Sequence, residues 1–299
     1  MDDGTVSWRE LLTETMQRLR AATAEAKVSI TDPDLEARWI VQEATGLEGP
    51  EFDLSLDELA TVGGVERLDS MVERRLRGEP IQYVLGHWSF RMLDLLCDRR
   101  VLIPRPETEQ VVSHALDALD AVLMARPGRH RAVVVDLGTG TGAIGLAIAS
   151  ERPGSEVWLV DSSAEALAVA RANLAGLGMA ASHVHIAQGS WWDALPSDLH
   201  GRVDLVVTNP PYVADSEPLH DSVARWEPHA ALLAGATGLE DYETILAGIG
   251  PWLAPGGVFV AEIGATQADD VSALAAATGL TDVVLHADYA GLARTVVAR

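Results

Sequence analysis

The sequence predicts an α/β fold: a mostly parallel sheet with helices on both faces, preceded by a small helical region and a short β connector. Three observations carry this. From residue 132 onward, strand-length apolar runs alternate with helical stretches, the pattern of parallel strands joined by crossover helices. Residues 1 to about 80 instead place apolar side chains at three- and four-residue steps, the period of one helical face. Between the two, residues 81–104 break into short β-like runs separated by turn residues.

The elements follow in order. Trp8, Leu11, Leu12, Met16 and Leu19 mark a first helix. Asp32-Pro33-Asp34 predicts a second start, with Asp32 as N-cap and Pro33 in the first turn. Leu35, Trp39, Ile40 and Ala44 form its face, and Gly46 ends it. Leu54–Leu59 reads as a short helical piece, and Val65–Arg77 as a longer helix ending at Gly78. Tyr83-Val84-Leu85, Leu93–Leu96 and Val101-Leu102-Ile103 read as β-like, giving a hairpin connector. Pro104-Arg105-Pro106 then forms a stiff extended segment, with a helix starting near Thr108. Strands are expected at 132–137, 156–161, 184–187, 203–208 and 258–263, with helices at 143–151, 163–176, 240–252 and 268–277. Two late runs, 283–286 and 293–298, suit an antiparallel edge. The predicted organisation is a helical domain at 1–80, a linker at 81–107 and a second domain at 108–299.

Composition narrows the class. The 299 residues are 48% hydrophobic, ample for a core, yet no window approaches a membrane span of about 18–20 apolar residues. Met1-Asp2-Asp3-Gly4 has neither a basic nor an apolar leader, and the single cysteine, Cys97, fits a reducing cytosol, so a cytoplasmic protein is expected. Cys97 itself reads as a small core hydrophobe rather than a reactive thiol. The net charge of −22 disfavours a protein that grips long nucleic acid through its phosphates. It suits solubility, a basic partner or a small molecule. The nine histidines show no metal-ligand spacing, so no metal is expected.

The first chemical motif is Asp136-Leu137-Gly138-Thr139-Gly140-Thr141-Gly142-Ala143, which follows a valine run and opens a helix. Its glycines allow a tight turn and close approach of a ligand to bare backbone, and the helix behind offers free N–H groups. The next strand ends in Asp161, 25 residues on (161 − 136), where a carboxylate can accept both ribose hydroxyls of an adenosine. A dinucleotide fingerprint has a similar layout. An acid two residues before the first glycine, aimed into the site, would repel a pyrophosphate. It suits an ammonium-bearing cofactor such as the methionine end of S-adenosylmethionine. Farther on, Trp191 and Trp192 follow the third strand; either could pack on adenine, with Trp191 favoured because it lies nearer the strand end.

The second motif is Asn209-Pro210-Pro211-Tyr212, at the tip of the strand 203–208 and 71 residues after Gly138 (209 − 138). Alone it could be an ordinary strand-ending turn. An amide or aromatic-amine nitrogen is a poor nucleophile because its lone pair is delocalised. An enzyme must hold the NH₂ group by its hydrogens and aim the lone pair at a methyl carbon. The Asn209 side-chain oxygen and the Pro210 carbonyl supply two acceptors, Pro211 stiffens the turn, and Tyr212 offers a flat face to stack on. Positioning is then the catalytic device, with no metal or covalent nucleophile required.

These residues resemble the bacterial peptide-chain release factor glutamine methyltransferases, the HemK/PrmC type. The resemblance is most specific in Leu102–Glu109, Asp136–Ala143, Asn209–Tyr212 and Arg225-Trp226-Glu227-Pro228, and extends to Gly238-Leu239, Glu262-Ile263-Gly264 and Asp288–Arg299. It implies a helical N-terminal domain, a β-hairpin linker and a seven-stranded, mostly parallel, Rossmann-like methyltransferase sheet. It implies S-adenosyl-L-methionine as cofactor, S-adenosyl-L-homocysteine as product, and the Gly-Gly-Gln glutamine of release factors as substrate. Gly138, Thr139, Gly140, Thr141, Gly142, Asp161, Trp191 and Asn209 are implied cofactor contacts. Asn209, Pro210, Pro211 and Tyr212 are the implied glutamine clamp, with Arg105 close by. A monomer is expected, with neither membrane nor nucleic acid as partner. The segment Gly86–Met92 lacks the Glu-Phe and the glycine common in the family, and Trp226 stands where tyrosine is frequent.

Three other readings share parts of the pattern. A DNA adenine methyltransferase would use the same four-residue clamp, but would need a basic target-reading face. A cofactor-binding scaffold would show no turnover. A relative acting on a different glutamine would keep the clamp, which reads only the amide.

Overall fold

The computed structural model describes residues 5–126 and 131–299. Met1–Gly4, read above for a leader, lie outside the described residues. The chain divides into two units. One holds the described residues up to His87 together with Asp221–Trp226; the other holds Trp88–His220 and Glu227–Arg299.

The first unit is helical. α1 (Trp8–Ala24) starts on a capping box in which Ser7 and Glu10 satisfy each other's backbone N–H groups. α2 (Pro33–Thr45) is capped by Asp32 and ended by Gly46 in the left-handed region. α3 spans Gly49–Ser55 rather than Leu54–Leu59. Pro50 sets the start of its first turn, and Leu54 and Leu59 face solvent, so the apolar run did not mark the helix. α4 (Val62–Leu76) buries Leu68, Met71 and Val72. Tyr83-Val84-Leu85 belongs to a helix, α5 (Ile81–Leu85), and not to a strand. Pro80 begins that turn, Gly86 closes it at φ 86°, and Tyr83 and Val84 are buried on one side. β-branched and aromatic residues fill a buried helix turn as readily as a strand. Arg75 and Glu36 form a buried ion pair at 2.5 Å, with Arg75 also donating to the Ser29 carbonyl.

Next along the chain comes a two-stranded sheet, β1 (His87–Phe90) and β2 (Leu93–Leu96). Val101–Ile103 forms no strand; Val101 N–H donates to the Asp98 carbonyl and Ile103 N–H to the Glu227 carboxyl instead. Arg91, at the hairpin turn, donates to Glu151, to the Glu109 carbonyl and to Ser113, which fixes the hairpin to the helices behind it. Then follow α6 (Pro106–Met124), β3 (Val133–Leu137), α7 (Ala143–Glu151), β4 (Glu156–Asp161), α8 (Ala164–Gly176), β5 (Val184–Gln188) and β6 (Val203–Thr208). α9 (Asp221–Trp226) is the segment that clusters with the first unit. α10 (Glu240–Ile249), β7 (Leu253–Glu262), α11 (Ala268–Ala277), β8 (Val284–Ala287) and β9 (Ala293–Ala298) complete the chain.

The seven strands lie in the order β5-β4-β3-β6-β7-β9-β8. β3 to β7 run parallel, whereas β9 pairs antiparallel with both β7 and β8. The late pair is therefore antiparallel as expected, with only β8 at the edge. Side chains alternate between the two faces: Val134, Leu205, Val207 and Val260 pack under α6 and α7. Val133, Val135, Val206 and Phe259 pack under α10 and α11. β3 is followed by β4 on one side and flanked by β6 on the other, so the connections diverge there and leave a crevice at the carboxyl ends of the strands.

One packing contact has no slack. A β-carbon on Gly145 in α7 would lie 2.2 Å from Leu159 Cδ2 and 2.9 Å from the Asp136 carboxylate. Gly145→Ala is expected to lower stability by about 2 kcal/mol, the scale of core overpacking, and urea denaturation measures it. An unchanged midpoint would show that the helix–strand contact gives way freely.

Candidate active site

The crevice holds a cavity of about 320 Å³, lined by Gly138, Gly140, Asp161, Trp191, Asn209 and Pro211 among others. Gly138, Gly140 and Gly142 have φ of 72°, 55° and 87°, a region that L side chains rarely adopt. The loop they form is pinned from several sides. Gly138 and Thr139 N–H both donate to the Val160 carbonyl, and Gly140 N–H donates to Asp161 Oδ2 at 2.9 Å. Asn173 of α8 donates to the Thr141 carbonyl and exchanges hydrogen bonds with the backbone of Leu96, tying the hairpin to the glycine loop.

Asp136 does not face into the cavity as the spacing suggested. Its Oδ2 accepts from the Thr139 hydroxyl at 2.6 Å and from Gly145 N–H at 2.9 Å, and the residue is buried beneath the loop. Desolvation pushes its carboxyl up to about 6, partly opposed by those two donors. Its role is to shape the turn. Thr139, Thr141 and Gly142 likewise build the loop and are not among the lining residues. The acid that does line the cavity is Asp161. Burial raises its carboxyl, while the N–H groups of Ser163 and Gly140 hold it down. Oδ2 accepts from Gly140 N–H and Oδ1 from Ser163 N–H, and Ser162 N–H is a third backbone donor to the carboxylate, which leaves part of its acceptor capacity for a ligand hydroxyl.

The two tryptophans separate. Trp191 lines the cavity beside Gly138, with a backbone φ of 46°. Trp192 turns into the core, donating its indole N–H to the Ile245 carbonyl at 2.9 Å and stacking on Trp252. Nothing in the sequence signalled the unusual backbone at Trp191, since the residue is not a glycine or asparagine.

At the tip of β6, Asn209 and Pro211 line the cavity, whereas Pro210 is buried and Tyr212 lies to the side against Gly264. Among the described residues no backbone N–H donates to the Pro210 carbonyl. Burial beside Glu262 pushes the Tyr212 phenol up to about 12, so it is neutral at physiological pH. Gln267 staples this turn: its Nε2 donates to the carbonyls of Tyr212 and Gly238 at 2.9 and 3.0 Å, and its Oε1 accepts from Gly264 N–H. Gly238 is required there, because a β-carbon would sit 2.5 Å from the Tyr212 carbonyl oxygen. Arg105 is not a lining residue. It donates to Glu227 Oε1 at 2.6 Å, and Glu227 also accepts from Ile103 N–H, so the pair fastens residues 103–105 to the chain beyond α9.

Behind Asn209 stands a polar pair, Thr108 and Glu262, that no spacing in the sequence links. Thr108 donates to Glu262 Oε2 at 2.6 Å, and Asn209 Nδ2 donates to the Thr108 hydroxyl at 3.5 Å. Desolvation pushes the Glu262 carboxyl up to about 7; the Thr108 bond and the Arg294 and Arg105 charges oppose this, and Glu107 adds to it. Cys97 is also buried, its thiol raised to about 12, chiefly by desolvation. Among the described residues no group of three or more His, Cys, Asp or Glu could hold a metal, and no helix is long and apolar enough to cross a membrane.

A raised carboxyl carries a definite sign for stability. Glu262 stays protonated in the folded state up to about pH 7, whereas its ordinary value is 4.5. Its stabilising contribution is complete below that ordinary value and is lost as pH rises through about 7. Relative to Glu262→Gln, the wild type is therefore expected to lose on the order of a few kcal/mol between pH 4.5 and 8. Paired urea titrations across that range check this. A constant difference between the two proteins would contradict the buried proton.

Residues 110–230 match the Methyltransferase small domain family, and residues 10–86 match the PrmC N-terminal domain family. The chain is 38% identical to the release factor glutamine methyltransferase of Bifidobacterium longum, with 96% of this chain and 99% of that protein covered. It is 37% identical to the release factor glutamine methyltransferase of Xylella fastidiosa (strain 9a5c), covering 97% and 96%. The solved hMettl16 catalytic domain, in complex with the MAT2A 3'UTR hairpin 6, superposes with a TM-score of 0.52 at 12% identity, covering 81% of this chain and 84% of that one. That likeness concerns the fold alone.

Proposed function

The chain belongs to the release factor glutamine methyltransferase family, and from that membership we propose that it methylates the side-chain amide nitrogen (N5) of the glutamine in the Gly-Gly-Gln motif of peptide chain release factors. One observation supports this most: Asn209 lines the same cavity as Gly138, Gly140 and Asp161. An amide acceptor thus stands at the wall of a site built for an adenosine-type ligand.

The cavity fits S-adenosyl-L-methionine by its donor set. Asp161 offers two carboxylate oxygens to ribose hydroxyls, Gly138 and Gly140 offer bare backbone, and Trp191 offers a flat indole face. When bound, that cofactor supplies an electrophilic methyl carbon and is converted to S-adenosyl-L-homocysteine. The protein's own part is to hold the acceptor. Asn209 Oδ1 and the Pro210 carbonyl accept hydrogen bonds from the two amide hydrogens, which turns the nitrogen lone pair toward the methyl group; as the new N–C bond forms, one of these protons is given up to water. Pro211 on the cavity wall and Tyr212 behind it keep the turn rigid. With the Tyr212 phenol neutral, that side chain sets no anion beside the planar amide. Fixing reactants in this way accounts for up to about 7–11 kcal/mol of barrier lowering in favourable cases. The single buried Cys97 suits the reducing cytoplasm, where release factors act.

The test is direct. The protein is incubated with methyl-labelled S-adenosyl-L-methionine and a release factor, either native or with the Gly-Gly-Gln glutamine replaced. Label is expected only on the native factor. Equal labelling of both would sink the glutamine assignment, and transfer to DNA instead would favour the adenine reading.

A further inference from the structure

We propose that Thr108 and Glu262 are positioning residues for methyl transfer, fixing which end of the Asn209 side-chain amide faces the cavity. This rests on the reading of Asn209 given above. Thr108 sits in the first turn of α6, and Glu262 closes β7. Asn209 comes directly after Thr208, whose register partner on β7 is Ala261, so Asn209 and Glu262 emerge level at the sheet's carboxyl edge.

The argument is one of hydrogen-bond polarity. A threonine hydroxyl has a single proton, and once Glu262 is ionised, above about pH 7, its carboxylate can only accept, so the Thr108 proton goes to Oε2 at 2.6 Å. Only lone pairs remain on its oxygen, so the neighbouring amide must present a donor. Asn209 does so through Nδ2. Turned the other way, its Oδ1 would meet an oxygen with no proton to give. Oδ1 is thereby left for the cavity, where an acceptor is needed. Glu262 is essential to this logic, because without an acceptor there the Thr108 hydroxyl would rotate and claim Oδ1 for itself.

The burial of Glu262 points the same way. Its Oε1 is buried with no hydrogen-bond partner among the described residues, so the carboxyl is only half satisfied there. An apolar residue of similar size would cost less there. The backbone at Glu262 is itself anchored, its carbonyl accepting from the buried Tyr242 hydroxyl at 2.7 Å. A costly acid on a fixed backbone, spent on one threonine, suits a positioning role better than a packing one.

Single-turnover kinetics and the ¹⁵N side-chain amide resonance of Asn209, both at a pH well above 7 where Glu262 is ionised, test this together. Thr108→Val and Glu262→Met should each lower the transfer rate by about 10- to 100-fold, with cofactor affinity and KM within about two-fold of wild type. Thr108→Ser, which keeps the hydroxyl, should recover most of the loss, and Glu262→Gln, which keeps an acceptor, should fall less than Glu262→Met. Because the two residues act in one chain, Thr108→Val with Glu262→Met should be no slower than either alone. The Asn209 amide resonance should shift in Thr108→Val and return in Thr108→Ser. Rates near wild type in both Thr108→Val and Glu262→Met, or an Asn209 resonance indifferent to Thr108, would overturn the proposal. If wild type labels no glutamine, the substrate reading fails by itself, and the amide resonance still decides the relay.

Discussion

Asn209→Ala is expected to slow methyl transfer by about 10²–10³-fold, the scale seen when one preorganised hydrogen-bonding group is removed from an active site. Cofactor affinity should change far less. The substitution deletes the side-chain acceptor but leaves the other cavity walls standing: Gly138, Gly140, Asp161 and Trp191 belong to other strand ends, and the first three keep their own hydrogen bonds. The backbone of the turn is also retained, since Gln267 holds Tyr212 and Gly238 independently of residue 209. The acceptor amide then binds through the Pro210 carbonyl alone and swings about that single bond. Rapid-quench transfer from labelled cofactor gives the rate, and titration calorimetry of cofactor binding gives the affinity. A variant that loses affinity as steeply as rate would place Asn209 with the cofactor and not with the glutamine.

The second large effect concerns stability. Arg105→Met should cost about 3 kcal/mol, because it strands Glu227 as a buried carboxylate. The Glu227 side chain is 2% exposed, against 28% for Arg105. Losing the arginine is thus far worse than losing a surface pair, which is worth at most about 1 kcal/mol. Adding Glu227→Gln to Arg105→Met should restore much of the loss, since a neutral amide still accepts from Ile103 N–H. Chemical denaturation of the two single variants and the double variant closes the cycle. A loss under about 1 kcal/mol in Arg105→Met would mean that water reaches Glu227 and replaces the arginine.

Much of the catalytic unit is legible from the chain because its signals are local. Valine runs next to glycine turns mark β3 and the loop after it, and Asn209–Tyr212 carries its chemistry in four consecutive residues. The helical unit is legible in its periodicity but not in its short pieces. Pro50 moves α3 toward the N-terminus, and Tyr83–Leu85 forms a helix turn because Pro80 and Gly86 bound it. What stays hidden is whatever depends on pairs far apart. Thr108 and Glu262 lie 154 residues apart, and Gln267 reaches back 55 residues to Tyr212. No spacing rule links such positions. Asp136 shows the opposite error: its place before the glycines was visible, but the direction of its carboxylate is set by Thr139 and Gly145.

The small helix α9 bears on the order in which the chain can fold as it is made. It clusters with the helical unit, and its Trp226 lies against Gly78, 148 residues earlier (226 − 78). A chain growing from its amino terminus therefore exposes β3, β4, β5 and β6 before the last piece of the first unit exists. Domains ordinarily finish in the sequence in which they emerge. Here the first unit is the one left waiting, and a nascent chain halted before residue 221 carries an unfinished amino-terminal unit ahead of most of a sheet.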